Sequence, residues 1–248
     1  MPINRKAPFY LEVAKEKIEG HSSQFKFARS VAITDVESVV WDNGGDFPFL
    51  TAAETLDIVS DSADDASAGS GARTLLVYGL DSDYLEVSEL VTLNGLTPVT
   101  TTQTFLRVYR ALVVTSGTNS GLTGNNAGTI TISGHTTTQV QAKILPNNGQ
   151  TLMAVYTIPA GKTGYVTGVS FSAGQGKQCL FKAKFRNGPG SSYAFSVKYV
   201  IDLYENSFFG QLGVPLRVPE KTDIVITAST TSGTINAAAS FGILLSTN

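Results

Sequence analysis

The sequence is short of charge: Asp, Glu, Lys and Arg make up 15% of its 248 residues, against about 25% in an ordinary soluble domain. Fewer charges mean fewer strongly hydrated groups and fewer like-charge repulsions, so such a surface is suited to being covered by neighbours. With 18 basic and 20 acidic residues and a net charge of −2, the chain also lacks the concentrated Lys/Arg face that neutralises phosphates. Its most basic stretches, Asn4 to Lys6 and Lys177 to Arg186, are short. No direct nucleic-acid contact is expected.

Cysteine is nearly absent. Cys179 is the single one, which excludes an intrachain disulfide, and its place between Lys177 and the apolar pair Leu180 and Phe181 reads as a small buried side chain. The imidazoles are two, His21 and His135, each beside Gly and Ser or Thr. They are too few for a zinc site with one cysteine, and no G-x-S-x-G elbow accompanies them. Gly161-Lys162-Thr163 lacks the upstream glycine of a phosphate loop. The carboxylates that would serve glycoside hydrolysis are Asp35, Glu37, Asp42, Asp46, Asp202 and Glu205, and their settings read as polar turns and strand ends. No catalytic, cofactor-binding or metal-binding residue is assigned, and the chain is expected to be no enzyme. No apolar run approaches the roughly 18 residues that span a bilayer, and the opening Met-Pro-Ile-Asn-Arg-Lys has no apolar signal core. A soluble product made in the cytoplasm, with no membrane contact, is expected.

What is present is β-forming. The chain holds 28 Thr, 24 Gly, 13 Phe and 9 Tyr, residues that fit pleated strands and the turns between them. Alternation predicts strands at Phe25–Arg29, Glu37–Trp41 and Thr55–Val59, then a hairpin in which ARTLLVYGL turns through Asp81-Ser82-Asp83 into YLEVSELVTLNG. TFLRVYRALVVTSG and GTITISG follow, and the Pro-Asn-Asn-Gly cluster within Lys143 to Gln150 marks a boundary. Beyond it LMAVYTI, GYVTGVSFSA, QCLFKAKFR, SYAFSVKYVIDLY, DIVITAST and ASFGILLS repeat the pattern. The expectation is an all-β fold of antiparallel sandwiches, jelly-roll or immunoglobulin-like. It is divided into an N-terminal arm over 1–23, a first sandwich over 24–145 and a second over 150–248. The arm's APFYLEVAKEKIEGH suits a short helix ending at Gly20 or a strand equally.

Three features remain. The acidic, small-residue stretch Ser60 to Ala72 is expected to be an exposed loop, with Asp61, Asp64 and Asp65 lacking the ligand spacing of a calcium loop. Arg107 and Arg110 fall on opposite strand faces, where carboxylates such as Glu86 or Glu89 would pair them across strands. Trp41, Phe47, Phe49, Tyr193, Phe208 and Phe209 are candidate contact aromatics, and the adjacent Phe208 and Phe209 cannot both face the core of a regular strand.

The stretch from SVVWDNGGDFPFL to FLRVYRALVVTSG, with GHSSQFKFARS and LNGLTPVTT as its best markers, resembles virion structural proteins of marine and freshwater tailed phages. The similarity covers about Phe9 to Ile132, and the C-terminal part resembles the group more loosely through YTIPAGKTGYV. The resemblance implies a structural role in the particle: a capsid decoration or cement protein of the phage head, or alternatively a tail-associated receptor- or carbohydrate-binding protein. It implies the major capsid protein or other virion proteins as partners and a virion location after synthesis in the host cytoplasm. Further copies of the chain are expected as partners too, in a homo-oligomer taken to be a trimer. It carries over no site residue.

Overall fold

The computed structural model describes residues 8–118, 125–174, 176–188, 193–231 and 233–248. In chain order a one-and-a-half-turn helix α1 (Phe9–Ala14) precedes β1 (His21–Ile33) and β2 (Ser38–Val39). Seven strands follow as a block: β3 (Leu56–Ser60), β4 (Ala72–Leu80), β5 (Glu86–Thr92), β6 (Val99–Thr100), β7 (Arg107–Ser116), β8 (Ile130–Gly134) and β9 (Val140–Ile144). The last seven are β10 (Val155–Thr157), β11 (Lys162–Ala173), β12 (Gln178–Arg186), β13 (Ser196–Tyr204), β14 (Ser207–Val218), β15 (Asp223–Thr230) and β16 (Ile235–Thr247). All-β antiparallel sandwiches are therefore what the chain forms.

The outer segments make one sandwich. One sheet has the order β1-β16-β11-β14, and the facing one β10-β15-β12-β13 with β2 also on β15. If β2 and β10 are taken as two pieces of one interrupted strand, eight strands alternate between the sheets in the order 1-8-3-6 and 2-7-4-5, which is that of a jelly roll. β16 shows why the pieces close: from Ile235 to Leu245 every second side chain is buried, the period of a strand with one face on a core. Phe171 and Phe181 stack across the two sheets with centroids 5.0 Å apart, and Phe241, Ile226 and Tyr156 fill in around them.

The block β3 to β9 is a second sandwich inserted into the first. Its sheets are β6-β3-β8-β9 and β5-β4-β7, and Leu56, Ile58, Leu75, Val77, Ile130 and Ile132 form its core. The division read from the sequence places residues 24–50 with this block, but β1 pairs with β16 from His21↔Ser246 to Ile33↔Ile235, and β2 pairs with β15. An antiparallel partner need not be near in sequence, so both strands belong to the C-terminal sandwich. The arm also ends sooner than 23, because His21 already opens β1. Its described part, 8–20, forms the helix and lies back on β1, with Val13 buried, instead of extending away.

Candidate functional site

The two sandwiches meet at a buried ion cluster. Arg107 opens β7 and turns inward, where Nε lies 2.9 Å from Asp223 Oδ1 and Nη2 lies 3.2 Å from Oδ2. Arg186, at the end of β12, donates to the same Oδ2 from Nε at 3.0 Å and from Nη2 at 2.5 Å, and Thr157 Oγ1 donates to Oδ1 at 2.6 Å. Arg107 Nη1 also donates to the carbonyls of Leu50 and Leu106, each at 2.8 Å. All three ions are buried, and the surplus positive charge lies against aromatic faces. The Phe49 ring is 5.0 Å from the Arg107 guanidinium and 4.4 Å from that of Arg186, with Tyr84 and Phe195 alongside. Tyr84 holds its position at φ 67, a left-handed conformation that costs a non-glycine residue roughly 1–2 kcal/mol. At Gly79 of β4 an added Cβ would lie 2.1 Å from the Arg107 carbonyl oxygen, so only glycine lets β7 come this close. Every donor of this cluster that faces Asp223 is committed, which makes the cluster a joint rather than a place for a ligand.

The Arg107 and Arg110 side chains do lie differently, Arg107 buried and Arg110 part-exposed. Their partners are not the ones expected. Arg110 Nη2 donates to the Phe25 carbonyl at 2.6 Å, Glu86 pairs with Lys162 across the sandwiches, and Glu89 accepts from the backbone N–H groups of Thr102 and Gln103. Opposite charges separated by more than 100 positions, as Arg107 and Asp223 are, leave no local pattern to read.

Between the two sandwiches a cavity of about 410 Å³ is lined by Gln24 of β1 and by Tyr78, Glu86, Ser88, Tyr109 and Arg110 of the insert. Lys26 of β1 is buried next to it and donates to the Tyr109 carbonyl. Burial, with Arg110 adding to it, pushes the Lys26 ammonium well below the ordinary lysine range. Burial likewise pushes the Tyr109 and Tyr156 phenols up, and the Tyr156 hydroxyl has no hydrogen-bond partner among the described residues.

The acidic stretch 60–72 is largely the exposed loop expected, with Asp61 and Asp64 exposed, but one of its carboxylates turns inward. Asp65 is buried, and its carboxylate accepts from the N–H groups of Ala72, Ala127 and Gly128 and from the Ser60 hydroxyl at 2.6–2.9 Å. Asp61 accepts from Thr129 N–H at 2.7 Å. The Asp65 carboxylate is saturated by the protein, and among the described residues no group of three or more His, Cys, Asp or Glu side chains is placed to hold a metal.

The other candidate side chains serve their neighbours. Burial raises the Glu37 carboxyl, but hydrogen bonds from Lys182, Lys184 and Thr227 outweigh it and hold the group at about 2. Burial dominates at Asp42 and pushes it up to about 6, although Leu152 N–H donates to it. Asp202 accepts from Gln178, Asp46 borders a shallow surface cavity, Asp35 lies in the turn after β1, and Glu205 bends the chain from β13 to β14 at φ 42. His21 Nδ1 is 3.0 Å from the Glu19 carbonyl, and His135 Nδ1 is 3.0 Å from the exposed Asp57 carboxylate. Cys179 is buried, and burial with Asp202 nearby pushes its thiol up to about 12.

The aromatics divide. Trp41 and Phe47 are buried and pack edge to face at 5.0 Å, and Phe49 joins them. Phe208 stacks over Phe171 while Phe209 points away and is 78% exposed; Tyr193 is exposed as well. Phe209 stands on the outer face of β14 beside Ser170 and Phe27, Val197, Val200 and Tyr204 are exposed on β13, and Val214 of β14 is 86% exposed. A groove of about 340 Å³ opens between these two strands, lined by Val166, Phe185, Tyr199, Leu212, Val214 and Phe241. On the helix, Phe9, Tyr10 and Leu11 are also exposed. Residues 189–192, after β12, lie outside the described residues, and among those described no helix is long and apolar enough to cross a membrane.

No family model matches this chain, and no curated protein matches it. Among solved structures, that of infectious bursal disease virus, Gx strain, is matched at 12% identity over 98% of this chain and 78% of that one, with a TM-score of 0.26. The crystal structure of the infectious bursal disease virus VP2 subviral particle is matched at 11% identity over the same shares, with a TM-score of 0.22. A bacterial lipoprotein from Bacteroides thetaiotaomicron is matched at 10% identity over 88% and 99%, with a TM-score of 0.14. Superpositions this loose carry no inference about this chain.

Proposed function

We propose that this chain is a non-enzymatic virion structural protein of a tailed phage, a decoration or cement protein that covers and reinforces the head. The observation that carries the proposal is the set of exposed apolar side chains, Tyr204 of β13, Phe209 and Val214 of β14 and, at the other edge of the sheet, Phe9 and Tyr10 of the helix packed on β1, on a chain with few charges. A surface of this kind gains by being covered, at about 25 cal/mol for each Å² of apolar area removed from water before association costs. The sequence resemblance to phage virion proteins points the same way. In this role the partners are the major capsid protein and further copies of the chain, and the joint at Asp223 keeps both sandwiches in one orientation under load. A trimer would cover such side chains, but the free edge of β13 favours two-fold contacts.

The second reading, a tail-associated receptor- or carbohydrate-binding protein, is favoured by one feature, the cavity between the sandwiches with Tyr78, Tyr109, Glu86 and Arg110 on its walls. Aromatic faces beside a carboxylate and a guanidinium suit a sugar ring. Cryo-electron microscopy of virions from the phage that encodes the chain distinguishes them. Density for it distributed over the head is expected, density only at the tail tip favours the second reading, and absence from the particle overturns both.

A further inference from the structure

We infer that β13 is a self-docking edge, through which two copies of this chain pair antiparallel about a two-fold axis at Val200. β13 is the last strand of its sheet, bonded to β12 on one side only among the described residues. Its other side therefore presents a row of free backbone donors and acceptors over nine residues. From Tyr199 onward the strand alternates cleanly: Tyr199, Ile201 and Leu203 pack on the core, and Val200, Asp202 and Tyr204 stand outward and exposed. Lys198 is exposed as well, since it is the extra residue where Lys184 pairs with Val197 and Ala183 with Tyr199. No salt bridge engages it among the described residues.

The charges on this edge select the partner. A lone lysine on an edge strand opposes pairing with a copy of itself, which is how many proteins keep edges apart. Here Asp202 follows four residues later, so a two-fold axis at Val200 puts each Lys198 opposite the other copy's Asp202 and sets Val200 against Val200. Residues directly opposite in antiparallel strands must share a face, so the axis moves only in whole residues. Moving it to Lys198 or to Asp202 sets lysine against lysine or aspartate against aspartate. Only the register centred on Val200 matches both charges, and the contact is isologous, as a closed dimer requires.

Other long edges lack this match: β1 carries Lys26 and Arg29, and β7 carries Arg107 and Arg110, with no carboxylate on either strand. β14 carries Pro215, which removes a ladder donor, and β5 carries Glu86 and Glu89 with no cation among its residues, so a copy of itself would be repelled. Pairing at β13 would join the two jelly rolls into one continuous sheet, which is independent of whether the assembly is a virion.

The test uses the purified full chain alone, so its outcome is separate from the virion reading. Sedimentation equilibrium at about 100 μM, where a contact of micromolar affinity is filled, should show a dimer. Lys198→Glu and Asp202→Lys, each placing two like-charged pairs across the axis, should each weaken the dimer at least about tenfold, and the double exchange should restore it to within about threefold. Val200→Cys should form a disulfide-linked dimer under oxidation, and circular dichroism confirms that each variant is folded. A monomeric parent chain, single variants that dimerise undiminished, or a double exchange that fails to recover would each overturn the assignment. The cysteine variant decides the matter if a charge variant fails to fold, since an axis elsewhere would leave the two thiols apart.

Discussion

The inserted sandwich and the jelly roll are built from the same kind of strand but treat their borders differently. In the insert, β3, β8 and β9 run five residues each, and its acidic loop turns Asp65 inward, where four donors fill that carboxylate. In the jelly roll, β13 and β14 run nine and twelve residues and leave apolar side chains exposed along both edges. The insert exposes Leu85, Leu90, Leu96 and Val114, whereas the jelly roll exposes apolar side chains on β13 and β14 at one edge and on β1 and α1 at the other. The proposed association is on the jelly roll, to which the Arg107–Asp223 pair ties the insert.

The largest expected effect comes from cutting the joint. Asp223→Ala leaves two buried guanidinium groups unpaired, and breaking a buried ion pair costs roughly 3–5 kcal/mol. Chemical denaturation should show that loss. A retained two-state transition would mean that both sandwiches still unfold together. Asp65→Ala should confine its damage to the insert: the cost is roughly 1–3 kcal/mol from backbone donors left unpaired, with faster hydrogen exchange at Ala72, Ala127 and Gly128 and unchanged exchange in β11 and β16.

Two titrating groups give smaller, pH-dependent effects. Asp42 has its pKa raised to about 6 in the fold, above the unfolded value near 3.9. The folded state binds the extra proton between these values, so stability from this group is present at low pH and is lost as pH rises through about 6. Asp42→Asn should therefore raise the melting temperature at pH 7 and give no gain at pH 4. Lys26 has its pKa lowered in the fold, so at neutral pH the unfolded state holds more protons, and stability rises as pH approaches the unfolded value near 10.4. Lys26→Met should flatten that rise in melting temperature between pH 7 and 10. The smallest stability effect is at the flank: Phe209→Ser and Val214→Thr should stay within about 0.5 kcal/mol of the parent chain, as surface changes usually do.

The strands were legible because alternation is local. The hairpin of β4 and β5, the breaks at Gly and Pro clusters, and the split between Phe208 and Phe209 all follow from spacing within a dozen residues. β14 was not legible, since Gly210, Gly213 and Pro215 read as breakers, yet an edge strand tolerates them because half its ladder is unused. The partner of β1 lies more than 200 positions away, and the insertion that separates them hides the jelly roll. The joint was equally hidden: Asp223 reads as the first polar residue of a strand, and nothing near it announces Arg107. Asp65 sits among small polar residues that suggest solvent, and only the return of the chain at Ala127 and Gly128 buries it.

Hydrogen–deuterium exchange of the chain, free in dilute solution and again in purified virions, tests the account most directly. Protection gained in the particle along β13, β14 and α1, with the insert's core strands unchanged, is the predicted result. Protection gained only on the insert, with the jelly-roll flank exchanging as in the free chain, would contradict it.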